Sequence, residues 1–454
     1  MRVAVLGGGL TGLTAAWRLA AAGHKVRVLD AGPRPGGVIR TMAEGGWRVD
    51  GGPVSLQEST PEIGLMLREL GLAAERIESS PAAANRYIAR GDGLKAVPAP
   101  SSMAAFLATP LLSIRSKMAV ASEASRKPVA RTADVSVADL TRDHFGADIL
   151  ETLVQPLIGG IYAGDAERLS VQYAFPKIWE AEQKTGSLVK AAAEASRERR
   201  AQGLPSPAPL ISFKQGLQAL PDALAARLPE GAFLPNADVR SVTRGTGARW
   251  NVHWVGATGP KAMECDAVIL ALPAWSMARL EIGAAGLRPL SGLERVEYAP
   301  VTSLFLGYRR DRVRHPLDGF GALVPAAERR TLLGAVFVST LFPGRAPDGH
   351  VALNVFAGGA LRPDVVQLPE AELVARVGAD LKALVGADGP PAFVRRTPWP
   401  RAIPQYNLGY GAHLEAMRRC EADHPGLFIG GNVRDGISLP DCIASGASLA
   451  QRVS

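Results

Sequence analysis

Cysteine is scarce: there are three in 454 residues, Cys265, Cys420 and Cys442, far apart and without a CxxC spacing. That odd, scattered set argues against a disulfide framework or a thiolate zinc site and favours a reducing compartment. Long apolar runs are missing too. No stretch reaches the roughly 18 residues that a membrane-spanning helix needs, so any attachment to a membrane would be at its surface. Histidine is limited to seven scattered residues, which nominate neither a catalytic triad nor a metal centre. Zinc-finger spacings, RNP-like motifs, fixed-period repeats and low-complexity tracts are absent. The surplus of 51 Lys and Arg over 43 Asp and Glu is therefore no argument for nucleic acid, although it suits an anionic surface or an acidic ligand. A glycine-rich turn opening at Gly7 leaves no room for a signal or transit peptide, so the expected setting is cytoplasmic, or the cytoplasmic face of a membrane.

What is present is apolar material for more than one core. The chain is 47% hydrophobic, with 49 Gly and 34 Pro spread along it as turns, and at roughly 150 residues per domain two or three domains are expected. Residues 2–6 (RVAVL) read as a buried parallel strand, Leu13 to Ala22 as a helix ended by Gly23, and Val26 to Leu29 as a second strand ending at Asp30. This is a βαβ opening. The turn inside it is Gly7-x-Gly9-Leu10-Thr11-Gly12, a dinucleotide fingerprint in its proper context. Gly7 permits the tight turn, Gly9 lets a pyrophosphate approach the backbone, and Gly12 lets helix and strand pack closely. The helix N-terminus offers free N–H groups and the positive end of its dipole to phosphate, and Asp30 can accept both ribose hydroxyls.

A second glycine pair follows at once, in Gly32-Pro-Arg34-Pro-Gly36-Gly37-Val-Ile-Arg40-Thr41. NAD does not require it. The stretch resembles the extended FAD motif of the flavin amine oxidase and protoporphyrinogen oxidase superfamily, in which the matching residues line the pyrophosphate and ribityl chain, and Arg34 and Arg40 would place positive charge near phosphate. Asp50-Gly51-Gly52-Pro53 resembles the segment that passes the flavin ring. Gly430-Gly431-Asn432 precedes a helix beginning around Ser438, which in the family points its N-terminus at the flavin, with Ile437, Ser438 and Leu439 supplying backbone contacts. Val239 is similar to the position whose backbone meets the adenine. Asp30 stands where many members have Glu. Cys442, although near this site, reads as a small buried residue rather than a covalent flavin anchor.

Further motifs resemble the protoporphyrinogen oxidase family across nearly the whole chain: Asn85-Arg86-Tyr87-Ile88, Pro156-Leu-Ile-Gly-Gly160-Ile-Tyr-Ala-Gly164-Asp165, Gly319-Phe320-Gly321-Ala-Leu323-Val-Pro325, Leu341-Phe-Pro-Gly-Arg-Ala-Pro347, Ala402-Ile-Pro-Gln-Tyr406 and Asp441-Cys442-Ile443-Ala-Ser-Gly446. The resemblance implies FAD-dependent, six-electron oxidation of protoporphyrinogen IX to protoporphyrin IX, with hydride passing to the flavin and O2 restoring it with release of hydrogen peroxide. It assigns Arg86 to a substrate propionate, Gly160 to close backbone approach, and Leu323, Val336 and Phe356 to apolar walls. No protein side chain is nominated as catalytic, because such chemistry belongs to the cofactor. Three alternatives stay open: coproporphyrinogen III oxidation in the same superfamily, a flavin amine oxidase, and a flavin-bound scaffold without turnover. The amine oxidase reading wants an aromatic pair beside the flavin, and none stands out near Pro398-Trp399 or the C-terminus.

The expected fold is α/β: a Rossmann-like FAD-binding domain, a mixed-sheet substrate domain and a helical insertion, as in amine oxidases. The FAD-binding domain is expected from three stretches, 1–84, 212–285 and 413–454, the substrate domain from 85–100 and 286–412, and the helical domain over 101–203. Arg240–Val242, Trp250–Val255 and Ala267–Leu272 look like one small sheet. Within the helical tract Met103, Phe106, Leu107, Leu111, Leu112 and Ile114, followed by Arg115 and Lys117, suit an interfacial helix on an anionic membrane and equally an ordinary buried one. The expected partners are a porphyrinogen and O2, with no nucleic acid; a membrane surface, a second copy of the chain and a neighbouring haem-pathway enzyme are left open.

Overall fold

A computed structural model describes residues 1–98, 106, 108–128, 131–245, 247 and 249–454. Its centre is a five-stranded parallel sheet in the order 233–234, 25–29, 2–6, 267–270 and 427–429. The strand Arg2–Leu6 is apolar on both faces, and Val3, Ala4, Val5 and Leu6 are fully buried, as a parallel strand covered on both sides must be. On one side the helix Leu10–Ala21 packs against the helix Leu439–Val453. Gly446 makes that approach feasible, because a Cβ there would lie 2.5 Å from the Thr11 carbonyl oxygen.

One expectation fails here. Ala267–Leu270 joins the parallel sheet between Arg2–Leu6 and Leu427–Ile429, and the small sheet is completed instead by Gly259–Cys265 and Glu281–Gly283 beside Asp238–Arg244 and Trp250–Gly256. The physical reason is visible in the residues. AVIL has no polar alternation and is buried throughout, whereas DVRSVTR alternates and can face water on one side.

A seven-stranded sheet forms the second body, in the order 393–404, 298–309, 350–358, 332–336, 319–323, 85–90 and 93–96. Every pairing is antiparallel except that of Gly319–Leu323 with Asn85–Arg90. One face, with Leu304, Leu306, Tyr308, Leu353 and Val355, is covered by Leu373, Val377, Leu381 and Leu384 of the helix Glu370–Val385. The opposite face looks toward the helical segments and the parallel-sheet body.

Helices dominate from Ile114 to Ala201, with one π-helical turn at Leu150–Val154 just before the helix Gln155–Ile161. A buried charged network ties them together. His144 Nδ1 lies 2.8 Å from Glu123 Oε1 and its Nε2 3.0 Å from Glu182 Oε1, and Arg131 Nε donates to both Glu182 oxygens at 2.7 and 2.8 Å. Asp143, His144 and Glu182 gather ligand-type atoms within 4.8 Å of one another, but the Arg131 guanidinium bonds both carboxylates and fills the place of a cation. Met103 and Leu107 of the expected interfacial helix lie outside the described residues. Leu111 and Leu112 are buried against Ile88 and Ile149, so they face inward rather than to a surface. The helix that follows is Ile114–Glu123, capped by the Ser113 side chain, and it leaves Ile114 77% and Met118 67% exposed. No helix among the described residues is long and apolar enough to cross a membrane.

Candidate active site

The three fingerprint glycines do different physical work. Gly7 has φ +108°, and a Cβ on it would sit 2.2 Å from the Ala271 carbonyl oxygen; a Cβ on Gly12 would sit 1.9 Å from the carbonyl oxygen of Gly7. Gly9 meets nothing within 4 Å. It is the N-cap of the helix Leu10–Ala21, which has no side-chain cap and no acidic residue in its first turn. That helix end therefore keeps its donors and its positive dipole for an external acceptor. Asp30 accepts the Gly8 N–H at 2.6 Å on one oxygen and the Gly32 N–H at 2.7 Å on the other, leaving a lone pair on each for a hydroxyl. Val239 is half-buried at a β-bulge opposite Trp254 and packs on the adjoining core.

The second glycine pair folds back over this turn. Gly36 N–H donates to the Gly8 carbonyl at 2.8 Å, and a Cβ on Gly37 would lie 3.4 Å from the Gly9 Cα. Gly52 is packed so closely that a Cβ would lie 2.2 Å from the Val38 carbonyl oxygen, with Pro53 next in the chain. At the C-terminal end, Gly431 has φ +102°, and a Cβ on it would lie 3.7 Å from Thr11 Oγ1. The glycine turns of residues 7–53 are thus brought against the distant C-terminal turn at Gly431.

Three details differ from expectation. Arg34 turns inward: its Nη1 donates to the Ile39 carbonyl at 2.8 Å, the Pro35 carbonyl at 3.0 Å and Gln218 Oε1 at 2.6 Å, so it braces the glycine loop, while Arg40 is the exposed one of the pair. Burial, and then the neighbouring Arg40 charge, hold the Arg34 guanidinium below its usual basicity. Thr41 gives its hydroxyl proton to Asp50 rather than to the open side. At the second helix, Ser438 is the N-cap in a capping box with Asp441. Asp441 N–H bonds the Ser438 hydroxyl, Cys442 N–H bonds the Ser438 carbonyl, and Pro440 has no N–H. Of the first four helical positions only Leu439, next to Ile437 and Ser438, keeps a free donor among the described residues.

The substrate-side residues lie on one face of the seven-stranded sheet. Backbone register sets Ile88, Leu323, Gly334, Phe356, Ser303 and Thr397 in one row across the strands. Arg86, Gly321, Val336 and Asn354 form the next row on the same face. Gly160, on the helix Gln155–Ile161, stands over one end of the first row, where a Cβ would be 2.7 Å from Leu323 Cδ2. Gly51 stands over the other end, where a Cβ would be 2.8 Å from Thr397 Oγ1. Leu323 and Phe356 are half-buried. Val336 departs from the wall role, being only 8% exposed and packed with Trp47, Phe305 and Phe342. Arg86 is exposed; among the described residues its guanidinium bonds only the carbonyls of Ala84 and Asn85, and it lies 5.1 Å from the Phe320 ring centre.

Sequence reasoning quoted Asp50, Arg345, Trp399 and Tyr406 within motifs without giving them a supporting role, and missed Tyr410. Trp399 Nε1 donates to the Gly51 carbonyl at 2.7 Å. Tyr406 and Tyr410 stack at 4.4 Å, and their hydroxyls donate to the Asn432 and Val433 carbonyls, each at 2.6 Å. This is an aromatic pair near the C-terminal turn, but both rings are buried and both hydroxyls are used to hold backbone. Asp50 and Arg345, both buried, pair at 3.5 Å. Cys442 has its thiol pushed up to about 12 by burial, as fits a packed, protonated residue.

Comparison with known proteins places this arrangement. Residues 10–454 match the family described as flavin containing amine oxidoreductase. Protoporphyrinogen oxidase 2, chloroplastic/mitochondrial, of Arabidopsis thaliana is 32% identical over 100% of this chain and 93% of its own length. The coproporphyrinogen III oxidase of Bacillus subtilis (strain 168) is 26% identical over 98% of this chain and 96% of its own. Among solved structures, a protein from Exiguobacterium sp. 255-15 assigned as a protoporphyrinogen oxidase superposes with a TM-score of 0.82 at 23% identity, covering 100% of this chain and 98% of that one. Cyclohexylamine oxidase from Brevibacterium oxydans IH-35A superposes at 0.68 with 15% identity over 100% and 98%; at these identities the two structures speak for the fold. FAD is the cofactor that fits both the family and the paired glycine turns. The chain is an oxidoreductase that belongs to the flavin-containing amine oxidoreductase family and, within it, to the protoporphyrinogen oxidases.

Proposed function

We propose that this enzyme oxidises protoporphyrinogen IX to protoporphyrin IX in haem biosynthesis, removing six electrons and six protons and reducing three O2 to three hydrogen peroxide. The observation that carries the reading is the row from Leu323 through Phe356 to Thr397, overhung by Gly160 at one end and Gly51 at the other. The two glycines bring backbone close over the ends of this row, and between them the half-buried Leu323 and Phe356 offer the apolar face that a broad macrocycle needs. Bound FAD supplies the two-electron acceptor chemistry; the protein binds, orients and excludes water. Asp30 would hold the adenosine ribose, the Leu10, Thr11 and Gly12 N–H groups would hold the pyrophosphate, and the Leu439 N–H, with Gly431 and Asn432, would hold the flavin end. Arg86, exposed at the edge of the same face, holds a propionate.

The B. subtilis relative supports a second reading, in which coproporphyrinogen III is the substrate. Anaerobic stopped-flow mixing with each porphyrinogen decides between them: protoporphyrinogen is expected to bleach the flavin band faster. Faster bleaching by coproporphyrinogen reverses the assignment, and no bleaching by either removes it. The exposed Ile114 and Met118, one helical turn apart beside Arg115, support peripheral attachment to an anionic membrane.

A further inference from the structure

Arg345 is the most buried cation of the described chain, 1% exposed, and the Asp50 carboxylate beside it is 5% exposed. Taking two such groups out of water costs several kcal/mol each, and well-packed apolar residues often serve stability as well. Stability alone therefore does not explain the pair. Its position does. Asp50 ends the hairpin Thr41–Glu44/Trp47–Asp50 and is followed directly by Gly51, Gly52 and Pro53. Those residues are clamped between the Val38 carbonyl and Thr397–Trp399. Arg345 comes from the other body, on the turn after the helix Val338–Leu341, whose Val338 and Leu341 pack with Val336.

Polar contacts run without a gap between the two bodies. Arg34 donates to Gln218 Oε1 at 2.6 Å, Gln218 N–H donates to Thr41 Oγ1 at 3.0 Å, and the Thr41 hydroxyl donates to Asp50. Leu217 N–H adds a bond to Asp50 at 3.1 Å. Beyond the ion pair, Arg345 donates to Ser212 Oγ at 2.6 Å and the Phe213 carbonyl at 3.3 Å. Gly216, with φ +88°, makes room: a Cβ there would lie 2.3 Å from Thr41 Cγ2 and 2.9 Å from Asp50 Oδ1.

We propose that Asp50 and Arg345 are positioning residues that lock the Gly51–Pro53 segment to the substrate-side sheet and keep the charge there balanced. The proposal rests on the FAD reading above. With one partner gone, an uncompensated charge is left beside the segment that passes the flavin. Asp50→Asn leaves the guanidinium and favours the reduced, anionic flavin; Arg345→Met removes it and favours the oxidised form; the double variant is neutral again.

The test is the flavin midpoint potential of the holoenzyme, measured by spectroelectrochemistry alongside the FAD dissociation constant. Asp50→Asn is expected to shift the reduced-to-oxidised ratio at fixed potential about tenfold upward, about 30 mV for a two-electron couple. Arg345→Met should move it the other way, and the double variant should return toward wild type. Arg345→Lys should hold the potential while weakening FAD binding, since a point charge lacks the fork. If single and double variants that retain FAD all keep the wild-type potential, the pair is merely structural and the proposal falls. If Asp50→Asn does not fold, Asp50→Glu takes its place, keeping the charge on a longer arm: tenfold weaker FAD binding supports positioning, and unchanged binding overturns it. A wild-type protein that takes up no FAD would instead sink the cofactor reading.

Discussion

Gly9→Ala separates cofactor binding from folding at a single atom. Gly9 has φ −75° and ψ 178°, a conformation open to any residue, and the added methyl meets nothing within 4 Å. The apoprotein should therefore stay close to wild-type stability, since the gain of about 0.4–1 kcal/mol from the lower entropy of the unfolded chain is offset by alanine's poorer fit at an N-cap. Bound FAD changes the balance, because the methyl then stands where the pyrophosphate must approach the backbone. Overfilling a close contact costs about 1–3 kcal/mol, which weakens FAD about 5- to 150-fold. Gly12→Ala is the contrasting control. Its methyl would lie 1.9 Å from the Gly7 carbonyl oxygen, a rigid backbone atom, so helix and strand must separate and the apoprotein itself should melt lower. Differential scanning fluorimetry of the apoproteins and titration of each with FAD, followed by flavin fluorescence, give the two numbers. The reasoning fails if Gly9→Ala lowers apoprotein melting as much as Gly12→Ala does, or if it binds FAD like wild type.

Four further outcomes are expected. Arg86→Ala should raise KM for the porphyrinogen about tenfold with kcat nearly constant, since a charged hydrogen bond at an exposed rim contributes about 1.5 kcal/mol to ground and transition state alike; an unchanged KM at normal FAD content makes Arg86 a plain surface residue. Gly160→Ala should displace Leu323 Cδ2, 2.7 Å from the new methyl, on the proposed substrate face, raising KM while FAD content stays normal; Leu323→Ala added to it should recover part of the loss, and a double variant no better than the single one refutes the contact. Asp318 is held below the ordinary carboxylate value of 3.8, first by the Tyr87 hydroxyl, 2.6 Å away; a depressed folded pKa stabilises at neutral pH and is lost as pH falls through and below that value, so Tyr87→Phe should flatten the acid side of the melting-temperature profile, and parallel profiles would rule this out. Wild-type protein should co-sediment with anionic vesicles, less so at higher salt, and Ile114→Glu with Met118→Glu should abolish it; equal absence of both proteins from anionic and neutral pellets leaves this helix as an ordinary surface.

What could be read from the sequence was what a short stretch encodes by itself. The positive φ of Gly7 and the contact of Gly12 with the Gly7 carbonyl arise within one turn, and Asp30 follows at the end of the next strand, so spacing carries the dinucleotide site although nothing in the chain itself crowds Gly9. Arg34 shows where that kind of reading stops: its charge is plain, but its partner Gln218 lies 184 residues away, and that partner decides whether the guanidinium faces a phosphate or braces a loop. The substrate face has the same character. Leu323 and Phe356 are opposite Gly334 while Val336 is opposite Gly321, a pairing set by three strands and their bulges rather than by any one of them, so the resemblance supplied the residues and only the fold shows which of them stay half-exposed. Ala267–Leu270 was misplaced although its signal was there, since four apolar residues without alternation mark a strand covered on both faces. Asp50 and Arg345 each lie in a motif that the resemblance picked out, but neither motif shows that the two pair. A buried ion pair leaves two ordinary charged letters in the sequence, and its meaning comes from the distance it spans in the chain: here it joins the segment that would pass the flavin to the sheet that would carry the substrate.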